Sequence, residues 1–465
     1  MKAYIKLLSV TALFIFILPY FSHAEHWEKV VDRGFENPRN DYAWSMETFK
    51  GKLYVGTLNL WGGGEIWCSE SGEEGTWEKI YESRLGQNYG IRCLYADGDK
   101  ALYACTSSVF GAKIMRSTDG QTWETLLKKG WGHRRNTTIR CMIRFGDYLY
   151  AGAGGNSAEL YRSSDGIVWE LVNTEPRIAS TMVSSPLAGR FFQNRKVINN
   201  VMIGELAVFN GHLYAFTWTK DLDMRSALWV MNRSIVDPGA SFLPSSSGAF
   251  EVWRSENGVN WEKVVGQDDE YGNGMGFSGP EHGNDPHNMD NDVVTSVAVF
   301  RGEGGEYLYL GTEHDYGRTS VWRTKDGTEW KKVLDFYEEG EKYNYYVWRM
   351  IPFQGKLYVG TWNMGSTRNP GVTGAQIWVS DNGETFDPIV HNGFDGEYIT
   401  FTPMVGISKS GGVPKNYGIR SFGILNKTLF AGTATVLAVP ARRSGRSGSI
   451  ILGRDVGCEI WKMCP

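Results

Sequence analysis

The sequence predicts an all-β chain folded as a seven-bladed β-propeller of four-stranded antiparallel blades, and three observations predict it. The first is internal repetition. Seven asparagines, Asn40, Asn88, Asn136, Asn200, Asn291, Asn344 and Asn416, each open an apolar, strand-like segment that leads to a Leu-Tyr or Leu-Phe pair (Leu53-Tyr54 in the first copy, Leu429-Phe430 in the last). Repetition on this scale marks an array of supersecondary units, each unable to bury its apolar face alone. The second observation is a compact turn that follows the pair in most copies: Ser/Thr, any residue, Asp/Asn, Gly, two residues, Trp/Phe. It runs from Ser117 to Trp123, Ser163 to Trp169, Ser255 to Trp261, Thr324 to Trp330 and Ser380 to Phe386, with a looser version from Ser69 to Trp77. The third is a mismatch between the ends. The last copy stops after the third-strand text Cys458-Glu-Ile-Trp, while Trp27-Glu-Lys-Val-Val near the N-terminus repeats the fourth-strand text Trp261-Glu-Lys-Val-Val. The front of the chain is therefore expected to complete the last blade and remove two exposed sheet edges.

Each element of the unit has a local cause. The asparagine suits the turn into the first strand, and its ring of seven is expected to be structural. The apolar run and the Leu-Tyr pair form the first two strands. In the compact turn the Asp or Asn side chain accepts from backbone N–H groups just beyond it, the glycine takes positive φ, and the aromatic packs beneath and starts the fourth strand.

Residues 1–24 form a separate signal. Lys2 and Lys6 stand at the start of a mostly apolar run from Leu7 to Leu18, too short to cross a bilayer, and Ser22-His23-Ala24 supplies small residues for cleavage. A secretory signal peptide over 1–24 and one propeller domain over 25–465 are expected, in a secreted or periplasmic protein without a transmembrane anchor. A formal net charge of −4 and the lack of a basic block exclude a nucleic-acid binder, and a monomer is expected. Six cysteines in an exported chain suggest disulfides, with Cys93–Cys105, Cys93–Cys141 and Cys458–Cys464 as the pairings considered.

The compact turns resemble the Asp-box (BNR-like) repeats of sialidase-like β-propellers, and the resemblance covers nearly the whole chain after residue 24. This version is one residue shorter between the Asp/Asn and the Gly than the common pattern. The resemblance implies a scaffold whose boxes lie away from the working face, in a group that includes glycosidases, glycan-binding modules and assembly factors. The Phe/Tyr-Arg-Ile-Pro motif of sialidases is absent.

The working face is expected to carry the long loops, at Asn173–Asn199, Thr219–Ala249, Gln267–Asp290, His391–Lys415 and Thr433–Gly457. Equivalent positions in a closed ring converge near its axis. Four residues after each asparagine stand Trp44, Arg92, Arg140, Gly204, Thr295, Trp348 and Arg420, with Glu205 and Arg349 one residue further on in their copies. Arginines gathered in this way suit a carboxylate, sulfate or phosphate, and the indoles of Trp44 and Trp348 suit a sugar face. The expected function is binding of an anionic glycan or of a cell-envelope or extracellular partner protein, with Arg92, Arg140, Arg420, Arg349, Trp44 and Trp348 as ligand-binding residues. Pairing of the arginines between blades is the competing use. The alternative is a hydrolase or lyase on acidic sugars, with Glu205, Tyr345 or Asp292 as catalytic candidates. His282, His287 and His314, with nearby carboxylates, are the candidates for a divalent metal, the one cofactor the residues suggest.

Overall fold

The computed structural model describes residues 26–84, 87–133, 136–155, 158–174, 178, 182–183, 197–198, 200–218, 250–266, 291, 293–313, 318–363, 374–401, 411–435, 440–443, 446–449 and 456–464. Segment 1–24 and most of the long loops fall outside them. The described residues contain strands and turns and no helix, so none is long and apolar enough to cross a membrane.

The strands pair in antiparallel runs of four. In the first run Tyr42–Phe49 pairs with Lys52–Leu58, which pairs with Glu65–Ser69, which pairs with Glu78–Glu82. The same order recurs from Gly90, Thr138, Met202, Val293 and Asn344. The run opened by Asn416–Leu425 and Thr428–Thr435 takes Ile460–Cys464 as its third strand, and His26–Val31 pairs with that strand, Glu28 opposite Lys462. The expected completion by the N-terminal strand is thus observed. Successive runs touch where the second strand of one meets the first strand of the next, at Leu58–Gly90, Ser107–Thr138, Gly154–Met202, Trp218–Val293, Glu313–Tyr346 and Trp362–Gly418, and then Ala434 meets Tyr42. The contacts return to their starting point, so the sheet is closed.

The compact turns explain the Leu-Tyr pairs. At Ser117–Thr122 the Asp119 Oδ1 accepts from the backbone N of Gln121 and Thr122, both at 2.8 Å, and Ser117 Oγ accepts from Gly120 N at 2.8 Å. The backbone N–H of Gln121, followed by the Thr122 groups, holds the Asp119 carboxyl well below its usual range. The turn glycine then lies on the tyrosine of the preceding repeat. A Cβ at Gly120 would meet the Tyr54 hydroxyl at 2.0 Å, at Gly166 that of Tyr103 at 1.9 Å, and at Gly258, Gly327 and Gly383 those of Tyr150, Tyr214 and Tyr309. Gly72 lies on the Phe430 ring in the same way, which joins the first repeat to the last.

The asparagines prove structural and belong to a larger buried set. Asn40 Nδ2 donates to Glu65 at 2.7 Å, Asn200 to Glu251 at 2.6 Å and Asn416 to Glu459 at 2.5 Å. The tryptophan two residues past each glutamate donates its Nε1 to the same carboxylate. Lys79, Lys263 and Lys29 of the fourth strands bring the balancing charge. A buried carboxylate is tolerated here because donors and a cation surround it.

All six cysteines are free thiols, so the expected disulfides are not formed. Cys93 does oppose Cys105 in register, but a disulfide also needs Cβ atoms ~3.8 Å apart and a fitting torsion. Cys141 Sγ instead donates to the Ile203 carbonyl. Cys458 and Cys464 follow one extended segment, which keeps them roughly 20 Å apart.

Gly120 and Gly211 share φ +77°, but nothing lies within 4 Å of a Cβ at Gly211. Gly120→Ala is therefore expected to cost about 2–4 kcal/mol in urea unfolding, backbone strain plus overpacking. Gly211→Ala should lose only the strain component, ~1 kcal/mol. Equal losses would mean that the tyrosine contact contributes nothing.

Candidate functional site

The residues four places after the asparagines share one backbone feature. In every inner strand the pairing register skips the axial residue: Trp44 between Ala43 and Ser45, Arg92, Arg140, Gly204, Thr295, Trp348 and Arg420 at the matching places, with Tyr345 and Tyr417 skipped as well in the last two strands. Each is a β-bulge, an extra residue that leaves the ladder and turns its side chain out of the alternation. The convergence expected from spacing therefore has a mechanical cause.

Two of the arginines lie on tryptophans of the preceding repeat. The Arg92 guanidinium carbon sits 4.9 Å from the Trp44 ring centroid, and that of Arg420 sits 4.8 Å from Trp348. Arg140 lies 3.6 Å from Trp218, at the end of the next repeat's second strand. Glycines make the room. A Cβ at Gly90 would strike the Trp44 ring at 2.3 Å, one at Gly418 the Trp348 ring at 2.0 Å, and one at Gly204 the Trp218 indole at 2.1 Å. Trp218 thus fills the place of the side chain that Gly204 lacks, and its Nε1 donates to the Val294 carbonyl at 2.6 Å. Arg92, Arg140 and Arg420 are each 3% exposed. Trp44 and Trp348 are buried as well, their faces taken by guanidinium groups and glycine backbone.

The charged centre is Glu205. Arg349 Nη1 donates to its Oε1 at 3.1 Å, although the two residues belong to repeats separated by a third. Small Thr295 and Ser296 occupy the axial positions of the intervening repeat. Burial pushes the Glu205 carboxyl up, against the opposing charges of Arg349, then Arg92, then Arg420. Three guanidinium groups from separate repeats therefore act on one buried acid. The Arg349 side chain remains 30% exposed, so it is the member of this group open to solvent.

Glu47, three residues beyond Trp44, is an acid that the axial register did not single out. Burial pushes it up to about 7, although Thr48 N–H and Ala96 N–H donate to it and Arg349 attracts it; Thr48 N lies 2.9 Å from Oε1. Its equivalents Tyr95, Ile143, Ala207, Ala298, Ile351 and Gly423 are all uncharged. A lone acid in an otherwise uncharged register was the available signal.

Aromatic side chains pack around Trp348. The Tyr42 and Tyr417 hydroxyls are hydrogen-bonded to each other. Trp348 and Trp362 lie 5.7 Å apart, and Tyr345 lies 5.7 Å from Trp362. Burial, then Tyr42, drives the Tyr417 phenol far up, so it stays protonated. Asp292, His282, His287 and His314 lie outside the described residues. Asp395, Glu397 and Glu459 are close enough to share a cation, but Lys29 and Lys415 already bridge all three.

The closed ring of four-stranded runs is a β-propeller. The sequence matches no protein-family profile and no curated protein at a significant level. Solved structures similar in architecture include YCF48 from Cyanidioschyzon merolae, 11% identical over 94% of this chain and 99% of that one with a TM-score of 0.45. The WD40 repeats of RRP9 are similar at 9% identity, covering 95% and 98%, with a TM-score of 0.46. The WD40 β-propeller domain of Doa1 is similar at 10% identity, covering 94% and 97%, with a TM-score of 0.44. These likenesses carry no argument about what the chain binds.

Unfolded, the Glu47 carboxyl ionises near 4.5; folded, it keeps its proton to about 7. Between those values the unfolded chain releases a proton that the folded chain retains, so stability falls as pH rises, by ~3 kcal/mol in all. Glu47→Gln removes this loss. In urea melts the variant should exceed the parent by ~3 kcal/mol at pH 8 and by under ~1 kcal/mol at pH 5. The same advantage at both pH values would contradict the assignment.

Proposed function

We propose that the chain is an exported seven-bladed β-propeller of the Asp-box kind that binds an anionic glycan through the face bearing the ring mouth and the long loops. The observation that carries this reading is the gathering of Arg349, Arg92 and Arg420 around Glu205. The inner arginines, held flat on tryptophans, keep the axis positive, while Arg349 is the exposed group that exchanges Glu205 for a ligand carboxylate or sulfate. Such an exchange retains a charge-assisted hydrogen bond and so costs little. Export is supported by the apolar run that follows Lys2 and Lys6 and ends before Ala24, and membership of the Asp-box group by the turn chemistry from Ser69 to Phe386. An acidic surface of an envelope or extracellular partner protein offers the same carboxylates and is the other ligand of this reading.

A second reading, a hydrolase or lyase on acidic sugars, is favoured by one observation. Glu205 and Glu47 both hold their protons above the ordinary carboxyl range, as a general acid must. Tyr345, partly exposed beside Trp362, is the remaining described candidate.

Glycan-array binding and a turnover screen on the chain from Glu25 onward separate the two. The binding reading predicts acidic glycans as hits without turnover, affinity at least tenfold weaker in Arg349→Ala, and stronger binding as pH falls through 7 and Glu47 loses its charge. Reducing ends released by the parent but not by Glu205→Gln would establish the enzyme instead. Acidic glycans bound equally by Arg349→Ala would remove the axial site from the account.

A further inference from the structure

Among the described residues the exposed aromatic side chains, Trp61, Phe110 and Tyr337, are not those of the axis, and the first two lie together. Trp61 is 41% exposed and Phe110 is 54% exposed. They occupy matching places in the loops between second and third strands of adjacent repeats, Asn59-Leu60-Trp61 and Ser108-Val109-Phe110.

Both rings stand on built turns. Asn59 Oδ1 accepts from Trp61 N at 3.1 Å and from Gly62 N at 2.6 Å, and Ser108 Oγ accepts from Phe110 N at 3.1 Å. The middle residues, Leu60 and Val109, pack with Trp44, Leu58 and Tyr89, which fixes each turn from below. The two turns also share a support. Asn59 N donates to the Tyr89 carbonyl at 2.9 Å and Ser108 Oγ to the Gln87 carbonyl at 3.0 Å. Segment 87–89 therefore lies between them and sets their spacing. Aromatic rings fixed in this way lose little entropy on binding.

Cations border the pair. Lys113 Nζ donates to the exposed Gln87 Oε1 at 3.4 Å. The Lys113 ammonium is pulled below its usual range by burial and then by the charge of Lys128. The backbone of Lys129 lies against the Phe110 turn: a Cβ at Gly111 would meet its carbonyl carbon at 2.5 Å. Lys128 and Lys129 are both exposed. Two exposed aromatic side chains on turns joined through segment 87–89, with the Gln87 carboxamide and the Lys113 ammonium hydrogen-bonded to each other on that support, suit a chain of pyranose rings bearing carboxylates. The rings cover the sugars' C–H faces, and the lysines meet the acids.

We propose that Trp61 and Phe110, with Gln87, Lys113, Lys128 and Lys129, form a surface site for an oligouronate, the acidic oligosaccharide class of the reading above, on which this inference rests. The site grips successive sugars outside the axis, whereas Arg349 meets an acid group at the mouth.

The test is calorimetric titration of the chain from Glu25 onward with a galacturonic-acid hexamer, with maltohexaose as the neutral control. Trp61→Ala and Phe110→Ala should each weaken hexamer binding about tenfold, Trp61→Phe should retain most of it, and Lys113→Gln with Lys128→Gln should flatten its salt dependence. Melting temperatures of these surface variants should stay near the parent value. Hexamer binding that survives both aromatic substitutions but fails in Arg349→Ala overturns the rim site and leaves the axial reading standing. No binding of the hexamer by the parent overturns the rim site, while the glycan array with Arg349→Ala decides the axial reading separately. Maltohexaose bound as tightly as the hexamer overturns the assignment of the lysines.

Discussion

The rest of the structure depends on the pairing of His26–Val31 with Ile460–Cys464 around the buried carboxylate of Glu459. Without that strand the last repeat has a bare third strand and the ring has a seam. With it, Glu459 accepts from Asn416 Nδ2 and Trp461 Nε1 and is bridged by Lys29 at 2.8 Å and Lys415 at 2.6 Å. Those donors come from the beginning and the end of the chain, so the hub forms only when the ends meet. Removing one partner of such a buried set leaves an uncompensated charge, at a cost of about 3–5 kcal/mol. Closure also determines the axis. The inner-strand bulges aim their residues at a common line only while the runs stay locked in a circle.

Two kinds of contact carry that lock from repeat to repeat. On one side the turn glycine of five repeats lies on the tyrosine of the repeat before it, and Gly72 on Phe430 joins the first repeat to the last. At the axis tryptophans reach over glycines of the next repeat and arginines cover them. The cost of burying three arginines is offset by stacking on tryptophans and, for Arg92 and Arg420, by attraction to Glu205. The same arrangement leaves Arg349 as the adaptable member, bonded to an acid that burial already inclines toward its neutral form.

Much of the fold was legible because its signals are local. The turn pattern, the Leu-Tyr pairs and the shared text at Trp27 and Trp261 each state a strand or turn without reference to the rest. The axial register was legible too, since an equal spacing after each asparagine marks equivalent positions. What spacing alone did not give was where each side chain goes from there. Trp44 and Trp348 read as open platforms, yet their rings are buried over Gly90 and Gly418. The sign was present: in both cases a glycine stands two residues after the asparagine of the following repeat. Glu65, Glu251 and Glu459 were visible in the repeated Glu-x-Trp text, but their role requires an asparagine and a lysine brought in from distant strands. Trp61 and Phe110 gave no sequence signal beyond hydrophobicity, because exposure is a property of the folded surface. The expected disulfides failed for a similar reason, since opposition in register does not determine side-chain geometry.

The most direct test of the closed ring is amide hydrogen exchange, read by mass spectrometry, on the chain beginning at Glu25 beside one beginning at Arg33. The account predicts that losing His26–Val31 removes protection from Ile460–Cys464 and, across the seam, from Tyr42–Phe49, and lowers the melting temperature of the whole. Protection confined to its original pattern and an unchanged melting temperature in the shortened chain would contradict it.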